Sequence, residues 1–275
     1  MGKSSRRPEH QAPPEIYYND DEAKKYTQNS RIIEVQTKCT VRALELLNLP
    51  VDEPALLLDL GCGSGLSGEV ITEQGHQWIG MDISTAMLDV ALDREVDGGL
   101  ILSDLGEGLP FRPAIFNGAI SISTLQWLCN ADRKDHIPAR RLSILFRSLF
   151  ACLTRGSRAV FQFYPESEHQ VSLIVMQATK AGFTGGVVVD FPNSTKAKKM
   201  YLVLMCGGAA PMPQGLQSED EAAAMFNRRQ QLKKGGRTMA AVRERIKQKK
   251  DRRRRQGKTV HRESKYTGRP RSSRF

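Results

Sequence analysis

At residues 56–65 the chain reads Leu-Leu-Leu-Asp-Leu-Gly-Cys-Gly-Ser-Gly, an apolar run followed by an acid and three glycines. The apolar run favours a β-strand, and residues 66–73 favour a helix after it. Glycine adopts positive φ and lets the backbone approach a ligand closely. A helix that begins beside such a turn offers free N–H groups and a partial positive charge. The stretch therefore predicts a strand, a tight turn and a helix N-terminus that face a ligand.

Two classes of cofactor are bound by a glycine turn of this kind. A dinucleotide fingerprint requires Gly-x-Gly-x-x-Gly directly after the strand, and the pattern fails from Gly61 because position 66 is leucine. Read from Gly63 the pattern fits by accident, but two residues then separate it from the strand. A pyrophosphate gains nothing from an acid at Asp59, whereas a ligand with a cationic amine does. These residues favour S-adenosylmethionine, with a turn that binds no ligand as the alternative.

Two further acids stand at the ends of predicted strands. Asp82 ends a strand over 77–84, and Asp104 ends one over 99–105. Ligands of open α/β sheets bind outside these carboxyl ends, where Asp82 is placed to accept ribose hydroxyls and Asp104 an adenine amino group. Each acid alone is equally typical of a helix cap, but three at consecutive strand ends predict an adenosine-containing cofactor. The candidate cofactor residues are Asp59, Gly61, Gly63, Gly65, Asp82, Ile83, Asp104, Leu105 and Ser121.

The alternation of strands and helices predicts the fold class. Further strands are expected at 116–123 and 158–163, followed by a hairpin-like pair at 186–190 and 200–204. Five strands that alternate with helices predict a mostly parallel sheet with helices on both faces. This α/β arrangement resembles the Rossmann-like, seven-stranded fold of class I S-adenosylmethionine-dependent methyltransferases.

Charge divides the chain into a mildly acidic body and a basic tail. Residues 1–207 carry 21 Lys and Arg against 24 Asp and Glu, whereas residues 208–275 carry 20 against 6. A segment this basic predicts a polyanionic partner, with a merely solvated charge run as the weaker alternative. We expect a disordered N-terminus at 1–14, a methyltransferase domain at 15–207, and a partly helical tail at 208–275 for RNA binding or nuclear targeting.

Composition disfavours several other classes of protein. No apolar run approaches the length of a membrane span, and residues 1–10 lack the apolar core of a secretory signal. The five cysteines form no Cys-x-x-Cys pair, which argues against a zinc site and a disulfide scaffold and fits a reducing compartment. We therefore expect no membrane association and no bound metal.

The group that accepts the methyl is predicted from missing motifs. Residues 121–124 lack the Asp/Asn-Pro-Pro-aromatic motif typical of enzymes that methylate exocyclic amines, and Cys129 lacks the proline that precedes a pyrimidine-carbon nucleophile. A ring nitrogen such as guanine N7 loses no proton and needs neither a base nor a nucleophile. No catalytic group is assigned. Five residues are candidates to position or bind a base, with packing in the core as the alternative: Tyr17, Tyr18, Gln126, Trp127 and Tyr164.

Blocks along nearly the whole chain resemble the eukaryotic small-subunit rRNA (guanine-N7)-methyltransferases of ribosome biogenesis. These blocks are Pro13–Asp20, Lys25–Thr27, Arg42–Leu47, Asp59–Gly68, Gln126–Ala131 and Lys265–Arg269. The Gln-Trp-Leu-Cys-Asn-Ala run and the terminal Tyr-Thr-Gly-Arg are more specific than the glycine turn. The resemblance implies methylation of one guanine of 18S rRNA at N7, on small-subunit pre-ribosomes, with a part in pre-rRNA processing. It also implies a nuclear location, in the nucleolus and nucleoplasm, with the cytoplasm as a further compartment.

The resemblance further implies a heterodimer with a small zinc-binding activator protein that pairs with the sheet edge. In the usual strand order the third strand is that edge, and its apolar residues Leu100, Ile101 and Leu102 are the expected docking site. Three alternatives stay open: a largely non-catalytic ribosome assembly factor, a small-molecule methyltransferase, and an NAD(P) oxidoreductase. The basic tail disfavours a small-molecule methyltransferase. The spacing of the glycines from the strand disfavours an NAD(P) oxidoreductase.

Overall fold

The structure is a computed structural model. It describes residues 7–50, 53–194, 197–208 and 211–218, together with residues 246, 247, 250, 251, 253–255, 257 and 260 of the tail. The chain divides into two compact units, residues 1–215 and 216–275. The first unit extends eight residues beyond the predicted boundary at 207. One reason is that Arg42 donates a hydrogen bond of 2.9 Å to the backbone carbonyl of Gln214.

The first unit is built on one sheet of seven strands. The strands are β1 (Leu56–Leu60), β2 (Gln77–Asp82), β3 (Gly99–Leu102), β4 (Phe116–Ile122), β5 (Leu153–Phe163), β6 (Thr184–Asp190) and β7 (Lys199–Met205). Their spatial order is β3-β2-β1-β4-β5-β7-β6. Strands β1 to β5 pair in parallel, and β7 runs antiparallel to both β5 and β6. The predicted fold class is confirmed, and β3 is an edge strand as expected.

Seven α-helices flank the strands within the described part of the first unit. They are α1 (Pro14–Tyr17), α2 (Asp20–Gln28), α3 (Ser30–Leu47), α4 (Leu66–Glu73), α5 (Thr85–Asp93), α6 (Pro138–Cys152) and α7 (Glu168–Lys180), with short 3-10 helices at Pro8–His10, Leu105–Glu107 and Leu125–Cys129. Asn29 caps α3, because its side-chain oxygen accepts hydrogen bonds from the N–H groups of residues 31 and 32. Over the described ranges, every helix is too short or too polar to cross a membrane.

Apolar side chains form a core on each face of the sheet. Neighbouring residues of β1 point into opposite cores: Leu57 lies in the same core as Trp78, and Leu58 in the same core as Phe161. Both leucines are fully buried, as expected for a central strand of a parallel sheet. This packing fixes the carboxyl ends of the central strands, where the predicted acids lie.

Residues 7–14 are ordered, so the prediction of a disordered N-terminus is wrong for them. Arg7 donates hydrogen bonds to the backbone carbonyls of Tyr164 (2.9 Å) and Pro165 (3.2 Å), just beyond β5. The 3-10 helix that follows carries Glu9, which is buried. A polar, proline-containing sequence is typical of disorder, but these contacts join it to residues more than 150 positions away. Residues 1–6 lie outside the described residues.

The tail, predicted to be partly helical, contains helix where the structure describes it. Residues 246, 247, 250, 251 and 253–255 are helical. Arg254 donates a hydrogen bond of 2.7 Å to Asp251 one turn earlier. The terminal block at 265–269 lies outside the described residues.

Candidate functional site

The glycine turn joins β1 to α4 in left-handed backbone conformations. The φ angles of Gly61, Gly63 and Gly65 are 74°, 51° and 80°. A Cβ on Gly61 would overlap the side chain of Thr124. The N–H of Gly61 also donates a hydrogen bond of 2.8 Å to the carbonyl of Met81 at the end of β2. The turn therefore requires glycine and is tied to the neighbouring strand.

A cavity, called here the strand-end cavity, opens above this turn. Six of the predicted cofactor residues line it: Gly61, Gly63, Asp82, Ile83, Asp104 and Leu105. Its wall also includes Met87, Thr124 and Arg141, which the sequence did not single out. Three predicted residues, Asp59, Gly65 and Ser121, are not part of this lining. The strand ends thus come together as expected, but not every predicted residue faces the cavity.

Asp82 is held at the end of β2 by backbone donors. Its Oδ2 accepts a hydrogen bond of 2.8 Å from the N–H of Gly63, and its Oδ1 accepts one of 2.9 Å from the N–H of Ser84. Burial raises the pKa of Asp82, and the hydrogen bonds from backbone N–H groups oppose that shift. These backbone hydrogen bonds fix the orientation of the carboxylate in the wall of the cavity.

Asp104 is one half of an ion pair rather than a lone acid. Both of its carboxylate oxygens accept hydrogen bonds from Nη2 of Arg141, at 2.6 and 2.8 Å. Arg141 lies in α6 and is buried, and a Cβ on Gly106 would overlap its guanidinium. This residue could not be singled out from the sequence, because an arginine beside the apolar positions of a helix usually points to solvent. Arg141 therefore positions the carboxylate in the cavity wall.

We predict that Arg141→Leu lowers the affinity for S-adenosylmethionine about tenfold, because Asp104 loses the group that orients it. Asp104→Asn has a similar effect, and the double variant loses no more than either single variant because the two residues act as one unit. Isothermal titration of the four proteins measures this coupling. Arg140→Leu is the matched control, since Arg140 is exposed on the same helix. Additive losses would contradict the prediction.

Asp59 lies beneath the turn and not in the cavity wall. It is fully buried, and its Oδ2 accepts a hydrogen bond of 2.6 Å from the Ser67 hydroxyl. Its Oδ1 has no hydrogen-bond partner among the described residues. Burial raises the pKa of Asp59 from its usual 3.8 to about 7, the Ser67 hydrogen bond opposes the shift, and the charge of Asp82 adds to it. The predicted direct contact with a ligand amine is not built into this arrangement.

The raised pKa of Asp59 predicts a pH dependence of stability. Because the folded protein holds a proton on Asp59 up to about pH 7 and the unfolded chain loses it near pH 4, ionisation of the buried group disfavours the folded state. The free energy of unfolding therefore falls by about 3 kcal/mol from pH 5 to pH 8. Asp59→Asn keeps an acceptor for Ser67 and removes this slope. Urea unfolding of both proteins at four pH values measures it; parallel profiles would refute the assignment.

Gly65 and Ser121 also shape the turn from outside the cavity. Gly65 precedes α4 as its N-cap and packs against Val96, so a Cβ there would overlap the valine. The hydroxyl of Ser121 donates a hydrogen bond of 2.8 Å to the carbonyl of Leu60. Both residues therefore fix the path of the chain where it leaves β1.

A second cavity, called here the aromatic cavity, adjoins the first. Its lining includes Tyr18, Gln126, Trp127 and Tyr164, four of the five residues predicted to position or bind a base. The Tyr18 ring centroid lies 5.8 Å from that of Trp127, and both residues line the strand-end cavity as well. The fifth, Tyr17, lines neither cavity and packs edge-on against Tyr18, with 5.0 Å between centroids. The two cavities thus meet at a shared aromatic wall.

Polar groups in the aromatic cavity are partly unpaired. Gln126 is buried; its Nε2 donates a hydrogen bond of 2.9 Å to the carbonyl of Ser123, and its Oε1 has no partner among the described residues. Burial raises the pKa of Tyr164 to about 12, so its hydroxyl stays protonated. The sequence missed Arg7 and Glu9, which also line this cavity. Their one signal is Pro8, a residue favoured at the start of a helix.

Comparison with known proteins gives matches over the whole chain. Residues 58–159 match a family model described as a methyltransferase domain, and residues 204–273 match one described as a methyltransferase involved in Williams-Beuren syndrome. The chain is 57% identical to the 18S rRNA (guanine-N(7))-methyltransferase of Mus musculus, over 100% of both chains. It is 48% identical to the 18S rRNA (guanine(1575)-N(7))-methyltransferase of Saccharomyces cerevisiae, over 98% of this chain and 99% of that protein.

A solved structure with the same fold is phosphoethanolamine N-methyltransferase 2 of Haemonchus contortus, determined with S-adenosyl-L-methionine. It is 19% identical to this chain, with a TM-score of 0.53 over 70% of this chain and 58% of that chain. At this identity the likeness concerns the fold alone. It agrees with the fold described above.

Proposed function

The chain belongs to the 18S rRNA (guanine-N7)-methyltransferase family, and on that premise we propose that it transfers a methyl group from S-adenosylmethionine to N7 of a guanine in 18S rRNA. This activity serves the biogenesis of the small ribosomal subunit and pre-rRNA processing. The observation that carries the proposal is the pair of adjoining cavities. One has the strand-end acids and glycines of a methyl-donor site, and the other has an aromatic wall that fits a planar base.

The strand-end cavity fits S-adenosylmethionine, which when bound supplies an electrophilic methyl group. The carboxylate of Asp82, already oriented by backbone N–H groups, would accept the two ribose hydroxyls. The acceptor sites left on Asp104 would receive the adenine amino group. Gly61 and Gly63 let the backbone approach the ligand, and the buried Asp59 below them supports the turn by accepting a hydrogen bond from Ser67.

Methylation at N7 requires alignment of the N7 lone pair with the methyl group and requires no proton transfer. The N7 lone pair forms the bond to the methyl carbon, while the electron pair of the breaking C–S bond returns to sulfur. N7 carries no proton, so no residue has to remove one. The ring planes of Tyr18 and Trp127 lie 55° apart, so one ring would stack on the base while the other meets its edge. Burial raises the pKa of Tyr18, so its hydroxyl remains neutral. Positioning of this kind supplies much of the rate acceleration.

Transfer of a tritiated methyl group tests the proposal. Purified small-subunit precursor particles, free small molecules and protein fractions are each incubated with the full chain and labelled S-adenosylmethionine. Label in 18S rRNA alone supports the proposal. Label in small molecules would favour a metabolite methyltransferase. Binding of S-adenosylmethionine and of pre-ribosomes without any transfer would instead favour an assembly factor that acts without catalysis.

We also propose that the edge strand β3 binds the small zinc-binding activator protein as a heterodimer. Among the described strands β3 pairs only with β2, so it forms an edge of the sheet. Leu102 is 56% exposed there, and Leu92 on the adjoining α5 is 60% exposed. Exposed leucines beside an unpaired strand edge support docking by strand addition.

Leu102→Glu is expected to reduce capture of the chain by the tagged activator at least about tenfold, because the interface would then bury an unpaired charge. Leu100 and Ile101 are poorer test sites, since both also pack against the cores of the sheet. Met176→Glu is the matched control, because Met176 is 44% exposed on α7 at a distance from this edge. Equal capture of the Leu102 variant and the unaltered chain would contradict the docking site.

The basic second unit is proposed to hold rRNA through phosphate contacts and to direct the chain to the nucleus. All 20 Lys and Arg residues beyond position 207 fall within residues 216–275. Cations at this density bind nucleic acid largely through release of counterions. Nucleolar and nucleoplasmic accumulation, with a cytoplasmic fraction, is the expected distribution of a tagged full chain.

A further inference from the structure

Glu9 places a carboxylate in the wall of the aromatic cavity. Its side chain is 8% exposed and lines this cavity but not the strand-end cavity. Among the described residues, its carboxylate receives one hydrogen bond, a long one of 3.4 Å from Arg7. A buried acid is usually paired more closely than this. Acceptor capacity therefore remains in the wall of a cavity proposed to hold a base.

The backbone around Glu9 is anchored from two sides. Arg7 binds the carbonyls of Tyr164 and Pro165, which follow β5. The carbonyl of Glu9 accepts a hydrogen bond of 3.3 Å from Asn130, just after the 3-10 helix that carries Gln126 and Trp127. Glu9 is thus fixed relative to the predicted base-binding residues, as a group that recognises a ligand must be.

Gln126 adds a second unpaired acceptor to the same cavity. Its Oε1 is buried without a partner among the described residues, while its Nε2 is engaged by the Ser123 carbonyl. A carboxylate and an amide oxygen together favour a ligand with neighbouring N–H donors. Guanine offers N1–H and the N2 amino group side by side. Adenine, cytosine and uracil each place a ring or carbonyl acceptor on that edge, which these oxygens would repel.

The positions of the two cavities also fit guanine. N1 and N2 lie on the opposite side of the purine from N7. Since Glu9 lines only the aromatic cavity, a guanine whose N1 and N2 edge faces it turns N7 toward the shared wall and the strand-end cavity.

We propose that Glu9, supported by Gln126, reads the N1–H and N2 amino group of the target guanine and so determines both base specificity and the orientation of N7. This inference rests on the proposed N7 methylation. The carboxylate also stabilises the positive charge that the base acquires when N7 is methylated. Glu9 is therefore a specificity-determining residue in contact with the base.

The test compares guanine with inosine, which keeps N7 and N1–H and lacks the N2 amino group. RNA spanning the methylated position is ligated with either base at that position. The full chain, with the activator co-expressed, is expected to show kcat/KM about 10- to 100-fold higher on guanine. In Glu9→Gln, the rate on guanine falls by a similar factor and the preference over inosine largely disappears. Glu15→Gln, whose carboxylate pairs with Arg133 outside the cavity, behaves as the unaltered chain.

Titration with S-adenosylmethionine shows whether each variant is folded, and its Kd should change less than about twofold because Glu9 lies outside the strand-end cavity. Equal loss on both bases in Glu9→Gln would mean a structural role and overturn the inference. Equal rates on guanine and inosine by the unaltered chain would overturn it even if the variant fails to fold. Absence of N7 methylation by the unaltered chain would overturn the proposed function and this inference together.

Discussion

Replacement of Asp82 by alanine is expected to weaken binding of S-adenosylmethionine at least about 100-fold and to abolish methyl transfer. Two effects contribute to this loss of affinity. The cofactor loses charge-assisted hydrogen bonds from both ribose hydroxyls, each worth about 1.5–3 kcal/mol. The N–H groups of Gly63 and Ser84 also lose their acceptor, so the glycine turn is no longer held against β2. Isothermal titration with S-adenosylmethionine and with S-adenosylhomocysteine measures the loss.

Asp89→Ala is the control for this variant, because Asp89 is an exposed acid on α5 and does not line the strand-end cavity. Thermal unfolding without ligand shows whether the Asp82 variant keeps its fold. A folded Asp82→Ala protein that binds the cofactor within threefold of the unaltered chain would remove Asp82 from the binding site.

Truncation after Gly215 is expected to lower affinity for small-subunit rRNA about 100-fold at moderate salt, because about five or more phosphate contacts are lost. The logarithm of affinity should also depend less steeply on the logarithm of salt concentration, by about 0.7 to 0.9 for each lost contact. The cut at 215 keeps the Arg42 to Gln214 hydrogen bond, which a cut at the predicted boundary of 207 would remove. Binding at several salt concentrations measures both quantities.

A second variant distinguishes the effect of the tail's charge on RNA binding from the effect of the tail's presence. Replacing the four arginines at 252–255 by glutamine keeps the length and helix propensity of the segment. Its affinity and salt slope should fall between those of the full and truncated chains. The Kd for S-adenosylmethionine should stay the same in all three proteins. Tight and salt-insensitive RNA binding by the truncated chain would place the RNA site in the first unit instead.

The sheet and the glycine turn were predictable because they depend on local patterns. The apolar run and the glycines at 56–65 specify a strand and a turn that needs positive φ, and both are observed. Helix and strand ends were less accurate. Strand β5 begins at Leu153 and not at 158, because the polar residues 154–157, with a glycine at 156, favour a turn by sequence alone.

The side-chain details of the site were not predictable, because they depend on contacts between distant residues. Asp104 and Arg141 are 37 positions apart, and helix periodicity does not reveal that a long side chain reaches the next layer. The sequence places Asp59 at a strand end but does not show that it points beneath the turn. Arg7 and Glu9 were missed because composition predicts disorder for residues 1–14, whereas two backbone carbonyls after β5 hold them in place.

The identity of the methylated atom is the most direct test of guanine N7 methylation. 18S rRNA from the methyl-transfer reaction is digested to nucleosides for mass spectrometry, and the modified position is mapped by cleavage specific for 7-methylguanine. We predict 7-methylguanosine at a single guanine, formed by the unaltered chain and absent with Asp82→Ala. A methyl group on another atom of guanine or on another base, or no product from a chain that binds both S-adenosylmethionine and pre-ribosomes, would contradict the account.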